Sequence, residues 1–151
     1  RSLRAAIKAK SALSRKMQTL PIALLGLNPH SGEKGLLGRE ELSFFGKSLT
    51  KFRSVVGPIV PDVAFSKNNW RKYSIFVCPY HDQGLIPFKM VHGFNGVHLT
   101  AGLPFIRTSV NHGTAKDIFG KGLADPSSML LSIRMAESLV ETVAGRRKNE
   151  R

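Results

Sequence analysis

A chain of 151 residues with 42% apolar content and no long polar tract has the size and composition of a globular domain with a real core, so disorder is excluded as the default reading. No run approaches the roughly 20 apolar residues of a bilayer span, and no short apolar segment with a small-residue cleavage site opens the chain, so the expectation is a soluble, cytoplasmic protein without membrane partners. The net charge of +13 raises nucleic-acid binding, but the first 20 residues hold six Lys or Arg and no acid, and the last six hold four against one. Nine of the 13 charges therefore sit at the ends, the pattern of solvated terminal faces and not of a nucleic-acid groove.

Leu3, Ala6, Ile7, Leu13, Met17 and Leu20 recur at helical spacing, which predicts a basic amphipathic helix over 1–20 that Pro21 ends. Ile22 to Leu27 is a continuous apolar run, the pattern of a strand buried on both faces of a parallel sheet. A polar, glycine-rich stretch follows from Asn28 to Gly35, and a helix is expected from Glu40 to Lys51. Ile75 to Pro79, Val97 to Thr100 and Phe105 to Ser109 read as further strands, while Gly57 to Lys72 is the least regular stretch. Cys78, the single cysteine, lies beside Ile75, Phe76 and Val77 and reads as a buried, inert strand residue. A last helix starts with Asp125 as cap and Pro126 in its first turn, with Met129, Leu130, Ile133, Met135, Ala136 and Leu139 continuing its apolar pattern. Strands alternating with helices give an α/β class with ligand chemistry on loops at the carboxyl ends of strands. The expected organisation is a single domain over 1–151 with a basic tail at 146–151. Because the sequence starts at Arg1, inside what reads as a helix, a fragment is expected.

His30 and His81 each directly follow a predicted buried strand, so both could point into one cleft as metal ligands, with Glu33 and Asp82 available to fix an imidazole tautomer. From spacing alone, surface or core histidines are the plainer reading. Lys89 and Arg107 suit a phosphate or carboxylate, or are solvated surface charges. His112 to Gly122 puts glycines and Thr114 at a helix entry, where backbone amides can approach a cofactor and Asp117 can accept from ribose hydroxyls; a glycine-bounded turn is the plainer reading.

Taken together, GLNPHSGE (26–33) with GREE (38–41), GPIVPDVAF (57–65), YHDQGLIPFK (80–89) and GLPFIRTSVNHGTAKDIFGKG (102–122) resemble the 4-hydroxythreonine-4-phosphate dehydrogenase family, in its order and over about residues 20 to 130. The last motif is also similar to the adenosine-binding stretch of isopropylmalate and isocitrate dehydrogenases. The resemblance implies the carboxy-terminal half of such an enzyme, with part of the isocitrate/isopropylmalate dehydrogenase-like fold: a mostly parallel sheet flanked by helices. It further implies that His30 and His81 are two of three histidines holding a divalent cation (zinc, magnesium or cobalt), the third lying in a missing amino-terminal half. Lys89 and Arg107 would contact substrate, Asp62 and Lys89 would serve catalysis, and the stretch from His112 through Gly113, Thr114, Ala115 and Asp117 to Asp125 would lie along NAD. A homodimer is implied as well.

Three positions depart from the family pattern. Its substrate-binding asparagine in the strand before GLP is His98 here, which can still donate one hydrogen bond; the acid before HGTA is Asn111; and Leu36 stands where a histidine is usual. The chemistry implied is NAD-dependent oxidation and decarboxylation of 4-phosphooxy-L-threonine, a step of vitamin B6 synthesis, by a protein incomplete as a fragment. The alternatives are a dehydrogenase of a related phospho-erythronate or phospho-threonate, and a non-catalytic, truncated dimerisation module.

Overall fold

The computed structural model describes residues 2–149, with side chains except at 44, 47, 48 and 143–149; the basic tail expected over 146–151 lies outside the described side chains. The chain gathers into two compact units, one ending at Pro87 and the other beginning at Phe88.

The first unit opens with α1 (Ser2–Lys10) and α2 (Arg15–Thr19), which corrects the single helix expected over 1–20. Two serines cause the break. Ser11 Oγ donates to the Lys8 carbonyl at 2.8 Å, and Ser14 Oγ accepts from Met17 N at 3.4 Å, so local side-chain bonds end one helix and cap the next. Leu3, Ala6 and Ile7 of α1 pack on the core.

That core is centred on β1 (Ile22–Leu25), all four residues of which are buried. β2 (Val55–Ile59) and β3 (Ile75–Val77) flank it in parallel, in the order β2-β1-β3. The period-two alternation of a strand splits β1 between two clusters: Ile22 and Leu24 meet Phe45 and Val55 on one face, while Ala23 and Leu25 meet Ala64, Phe65 and Phe76 on the other. A continuous apolar run is therefore required, since each buried Ile or Leu contributes about 1.5–3 kcal/mol and neither face is wet. β2 runs into the stretch from Gly57 read as irregular. It holds Gly57 and Pro58, which argue against a strand, yet as an edge strand it tolerates a proline. Gly57 is needed there: its φ is +146°, and a Cβ would collide with the Leu24 carbonyl oxygen across the sheet.

The helix expected from 40 to 51 begins as a π turn (Glu41–Phe45) that runs into α3 (Gly46–Leu49). α4 (Pro61–Ala64) follows β2, and α5 (His81–His92) follows β3.

In the second unit, β4 (Val97–Leu99) and β5 (Thr108–Val110) form an antiparallel pair, with His98 opposite Ser109. The strand expected at Phe105–Ser109 is thus displaced toward the carboxyl end, and Phe105 is exposed. α6 (Ser127–Asn149) packs on this pair through small polar residues. Buried Ser128 Oγ accepts from Asn111 N at 3.1 Å and donates to the Gly96 carbonyl at 3.3 Å, while Thr108 Oγ1 donates to the Ser132 carbonyl at 3.0 Å. Asp125 Oδ1 accepts from Ser127 N at 2.9 Å, and Pro126 gives its carbonyl to Leu130 N, so Asp125 turns the chain into the helix from one position before the cap. The fold is α/β, with a parallel sheet flanked by helices. Among the described residues no helix is long and apolar enough to cross a membrane.

Candidate functional site

Three segments of the first unit emerge from the same end of its parallel sheet. β1 leads into Pro29–Gly35 with His30, β2 into α4 with Asp62, and β3 into α5 with His81. Hydrogen bonds tie the segments together: Gly26 N donates to the Ile59 carbonyl at 2.9 Å, Ser31 Oγ to the Pro58 carbonyl at 3.5 Å, and Gln83 Nε2 to the Gly26 carbonyl at 2.7 Å. Carboxyl strand ends are where an open α/β sheet presents its chemistry, because loops there can vary without disturbing the core.

His81 is exposed, and its Nδ1 lies 2.7 Å from Asp82 Oδ1. A carboxylate in that place holds the proton on Nδ1 and leaves Nε2 with its lone pair outward, the arrangement a metal-ligating imidazole needs. His30, also exposed, sits in an unusual backbone. His30, Ser31, Gly32, Glu33 and Lys34 are all left-handed, with φ of 51°, 54°, 81°, 45° and 56°. Each non-glycine residue of such a run costs roughly 1–2 kcal/mol, so neighbouring structure must hold the segment in place. Glu33 is exposed.

The holding group is Glu41, which residue types and spacing did not single out. It is only 5% exposed. Its Oε1 accepts from Leu27 N at 2.8 Å and Asn28 N at 2.7 Å, and its Oε2 from Asn28 Nδ2 at 2.9 Å. Burial alone would push this carboxyl up, but donation from the Asn28 backbone and side chain outweighs it and holds the group below its ordinary value. Exposed Glu40 takes the other Asn28 Nδ2 bond at 2.7 Å, which lowers its carboxyl too. Cys78 follows β3 half-buried, and burial pushes its thiol up, consistent with an inert residue.

Among the described residues no three His, Cys, Asp or Glu side chains gather around one point where a cation would sit. His30 and His81 are both exposed on segments at the carboxyl end of the sheet, with no third such side chain gathered beside them among the described residues. The donor chemistry is suitable: two imidazoles, one of them oriented by a carboxylate.

In the second unit, Lys89 is exposed on α5 and His98 is exposed on β4. Arg107, at the turn between β4 and β5, donates from Nη1 to Thr100 Oγ1 at 2.9 Å and is otherwise exposed. Asn111 is buried: its Nδ2 donates to the Gly93 carbonyl at 3.2 Å, while its Oδ1 finds no partner among the described residues. Leu36, at the third departure, is exposed.

His112, Gly113, Ala115, Asp117 and Asp125 line one half-open cavity of about 360 Å³; of the expected cofactor residues, Thr114 does not line it. Phe94 and Ser128 also line it, although neither was indicated by the sequence. Phe94 is brought in by a turn between α5 and β4, and Ser128 by the first turn of α6. Ala115 is left-handed at φ 48°, which swings the chain around the cavity wall. The Asp125 carboxyl is held below its ordinary value by Ser127 and, to a smaller extent, by the positive field of His112. Its Oδ1 accepts from Ser127 N, and the Ser127 hydroxyl bonds the same carboxylate.

The model of the pyridoxal phosphate biosynthetic protein PdxA matches residues 2–136 of this chain. The 4-hydroxythreonine-4-phosphate dehydrogenase of Desulforapulum autotrophicum is 52% identical over 128 residues, which are 82% of this chain and 37% of the relative. The D-threonate 4-phosphate dehydrogenase of Pectobacterium atrosepticum is 46% identical over 122 residues, 78% of this chain and 37% of its own length. The crystal structure of 4-hydroxythreonine-4-phosphate dehydrogenase from Klebsiella pneumoniae superposes with a TM-score of 0.74 at 41% identity, over 87% of this chain and 40% of that one. The corresponding structure from Burkholderia phymatum gives 0.65 at 39% identity, over 89% and 41%. The chain spans well under half the length of these relatives. With the family model matched along residues 2–136 and the same fold in its solved relatives, the chain belongs to the PdxA family of pyridoxal phosphate biosynthetic proteins.

Proposed function

We propose that this chain carries two metal-ligating histidines and the cofactor wall of an NAD-dependent dehydrogenase of phosphorylated hydroxy acids, a site completed by structure outside these residues. The observation that carries the reading is the pair of imidazoles on neighbouring strand ends of one parallel sheet, His81 held by Asp82 and His30 by its left-handed segment. The first-choice substrate is 4-phosphooxy-L-threonine, whose secondary alcohol is oxidised as NAD takes the hydride and a proton is released; the keto acid then loses carbon dioxide to give 3-amino-2-oxopropyl phosphate. D-Threonate 4-phosphate is the second, since the relatives bear both names at similar identity.

His30 and His81 would hold the divalent cation, which when bound supplies Lewis-acid polarisation of the reacting oxygen. Asp82 fixes the His81 tautomer through Nδ1. Asp62, exposed in the first turn of α4, is available to take the alcohol proton directly or through water. Lys89 and Arg107 offer cations to the phosphate and carboxylate, and His98 offers a ring nitrogen where the family has an asparagine. Asp117 and Asp125 can accept from ribose hydroxyls, with Gly113 letting the backbone approach the cofactor. A homodimer, cytoplasmic like other soluble enzymes of this chemistry, completes the proposal.

The test has two parts. Co²⁺ titration of the purified chain, followed by ligand-field absorption, should show weak binding that His30→Ala and His81→Ala both abolish. NADH formation should then appear when the amino-terminal portion of the Desulforapulum relative is supplied in trans with metal and either phosphorylated acid. Unchanged Co²⁺ binding in both variants would overturn the ligand assignment; no NADH from either acid with the completed protein would overturn the activity.

A further inference from the structure

We infer that Glu41 is a positioning residue: its buried carboxylate is the template on which the left-handed segment bearing His30 is wound. The inference rests on the reading of His30 as a metal ligand only for its functional consequence. The contacts themselves are local. Leu27 N and Asn28 N both donate to Oε1, and Asn28 Nδ2 donates to Oε2, so three donors from the start of the segment converge on one side chain. Paired backbone amides of this kind form a concavity for an anion, and here the protein fills it with its own carboxylate.

Gly32, in the middle of the left-handed run, is also closed over the same group. A Cβ on Gly32 would lie 2.8 Å from Glu41 Oε2 and 2.8 Å from the Gly38 carbonyl oxygen. Thus Glu41 is hydrogen-bonded to the start of the segment and leaves no room for a side chain at its midpoint, and His30 lies between these two places. Four non-glycine residues in this conformation would relax to right-handed or extended backbone without such anchors. Glu41 can serve as the anchor because it stands at the head of the π turn leading into α3, whose Phe45 is packed in the core with Ile22 and Leu24. The carboxylate is therefore fixed from behind by the sheet while it grips the loop in front.

Glu41→Gln is the discriminating variant. It keeps the size of the side chain but replaces one acceptor oxygen by an NH₂ and removes the charge. The expected result is that amide hydrogen exchange at Leu27 and Asn28 speeds by about tenfold or more, that the His30 ring resonances shift or broaden while those of His98 and His112 stay, and that Co²⁺ affinity falls about 10–100-fold. Glu41→Asp should recover part of each. If the Gln variant does not fold, Asn28→Ala, which removes the Nδ2 donor shared by Glu41 Oε2 and Glu40 Oε2 and keeps both backbone amides on Oε1, should still broaden the His30 signals. Unchanged amide exchange and unchanged His30 resonances in a folded Glu41→Gln would overturn the inference. Should Co²⁺ affinity be insensitive to His30→Ala while the Glu41 variants still release the segment, the ligand reading fails and the positioning role stands.

Discussion

Gln83 Nε2 donates to the carbonyl of Gly26 at 2.7 Å, joining the first turn of the helix after β3 to the end of β1. The bond is partly buried and spans 57 residues of sequence, so it fixes the His81 segment against the His30 segment rather than shaping either alone. Gln83→Ala leaves the Gly26 carbonyl without this donor, at a cost of about 1 kcal/mol of stability. Co²⁺ affinity should fall in the same variant, whereas the fold, read by circular dichroism, is retained. Equal affinity in wild type and Gln83→Ala would show that the two segments hold their places independently.

Asp82 is exposed, so its pairing with His81 adds little to stability. Its effect lies in the tautomer. Asp82→Asn should leave the thermal midpoint unchanged and lower Co²⁺ affinity about tenfold, with ¹⁵N chemical shifts of the His81 ring showing the proton no longer confined to Nδ1. A ring that keeps the same tautomer in Asp82→Asn would remove the carboxylate from the account.

The acid stability of the first unit should depend on Glu41. Its folded-state pKa is lowered, so its contribution is present in full above the ordinary carboxylate value and is lost as pH falls through the lower folded value. Glu41→Gln should therefore destabilise the chain by about 1.5–3 kcal/mol near neutrality, where a charge-assisted set of bonds is lost. The gap between variant and wild type should close in acid, where both side chains are uncharged. Urea unfolding at pH 7 and pH 3 measures this; a gap that does not narrow would mean that Glu41 packs without its charge mattering.

How far these features were legible in the sequence follows from where each residue's partners lie. β1 was readable because a strand covered on both faces needs the unbroken run Ile22–Leu25. β2 was not, because Gly57 and Pro58 interrupt its pattern, and their tolerance depends on an edge position and on the Leu24 carbonyl passing beneath Gly57. Likewise Gly84 and Pro87 concealed α5, and the apolar spacing through residues 1–20 concealed the two serines that break it. His30 and His81 were flagged by their place after strands. Glu41 carried no such mark: its importance comes from three donors 13 to 14 residues away, which no local pattern reports.

Gly57→Ala tests the β1–β2 contact directly. The substitution puts a methyl group against the Leu24 carbonyl and asks an L-residue to hold φ near +146°. Either the ladder opens or the strand shifts, and both cost more than the roughly 0.4–1 kcal/mol an alanine gains at a compatible site. The expected outcome is a net loss of about 1–3 kcal/mol in urea unfolding, with Asp62 displaced because α4 follows directly from β2. A variant as stable as wild type would show that β2 has room beneath it.

The cavity between His112 and Asp125 makes a distinction between its two carboxylates. Asp117 lines the cavity from the exposed single turn Lys116–Ile118, whereas Asp125 both lines the cavity and receives Ser127 N at the start of α6. Asp117→Ala should therefore weaken NAD binding about tenfold, the loss of one charge-assisted bond to a hydroxyl, with no change in thermal midpoint. Asp125→Ala should weaken NAD binding as well but also lower the midpoint by a few degrees, because the turn into α6 loses its acceptor. Asp125→Asn separates the two effects: an amide oxygen can still accept from Ser127 N, so the midpoint should recover while the charge toward the ribose stays lost. Saturation-transfer NMR with NAD and thermal scans on the three variants give the comparison. If NAD binding is the same in all three, the cavity bounded by His112 and Asp125 is not where the cofactor lies, and the glycine-bounded turn is structural only.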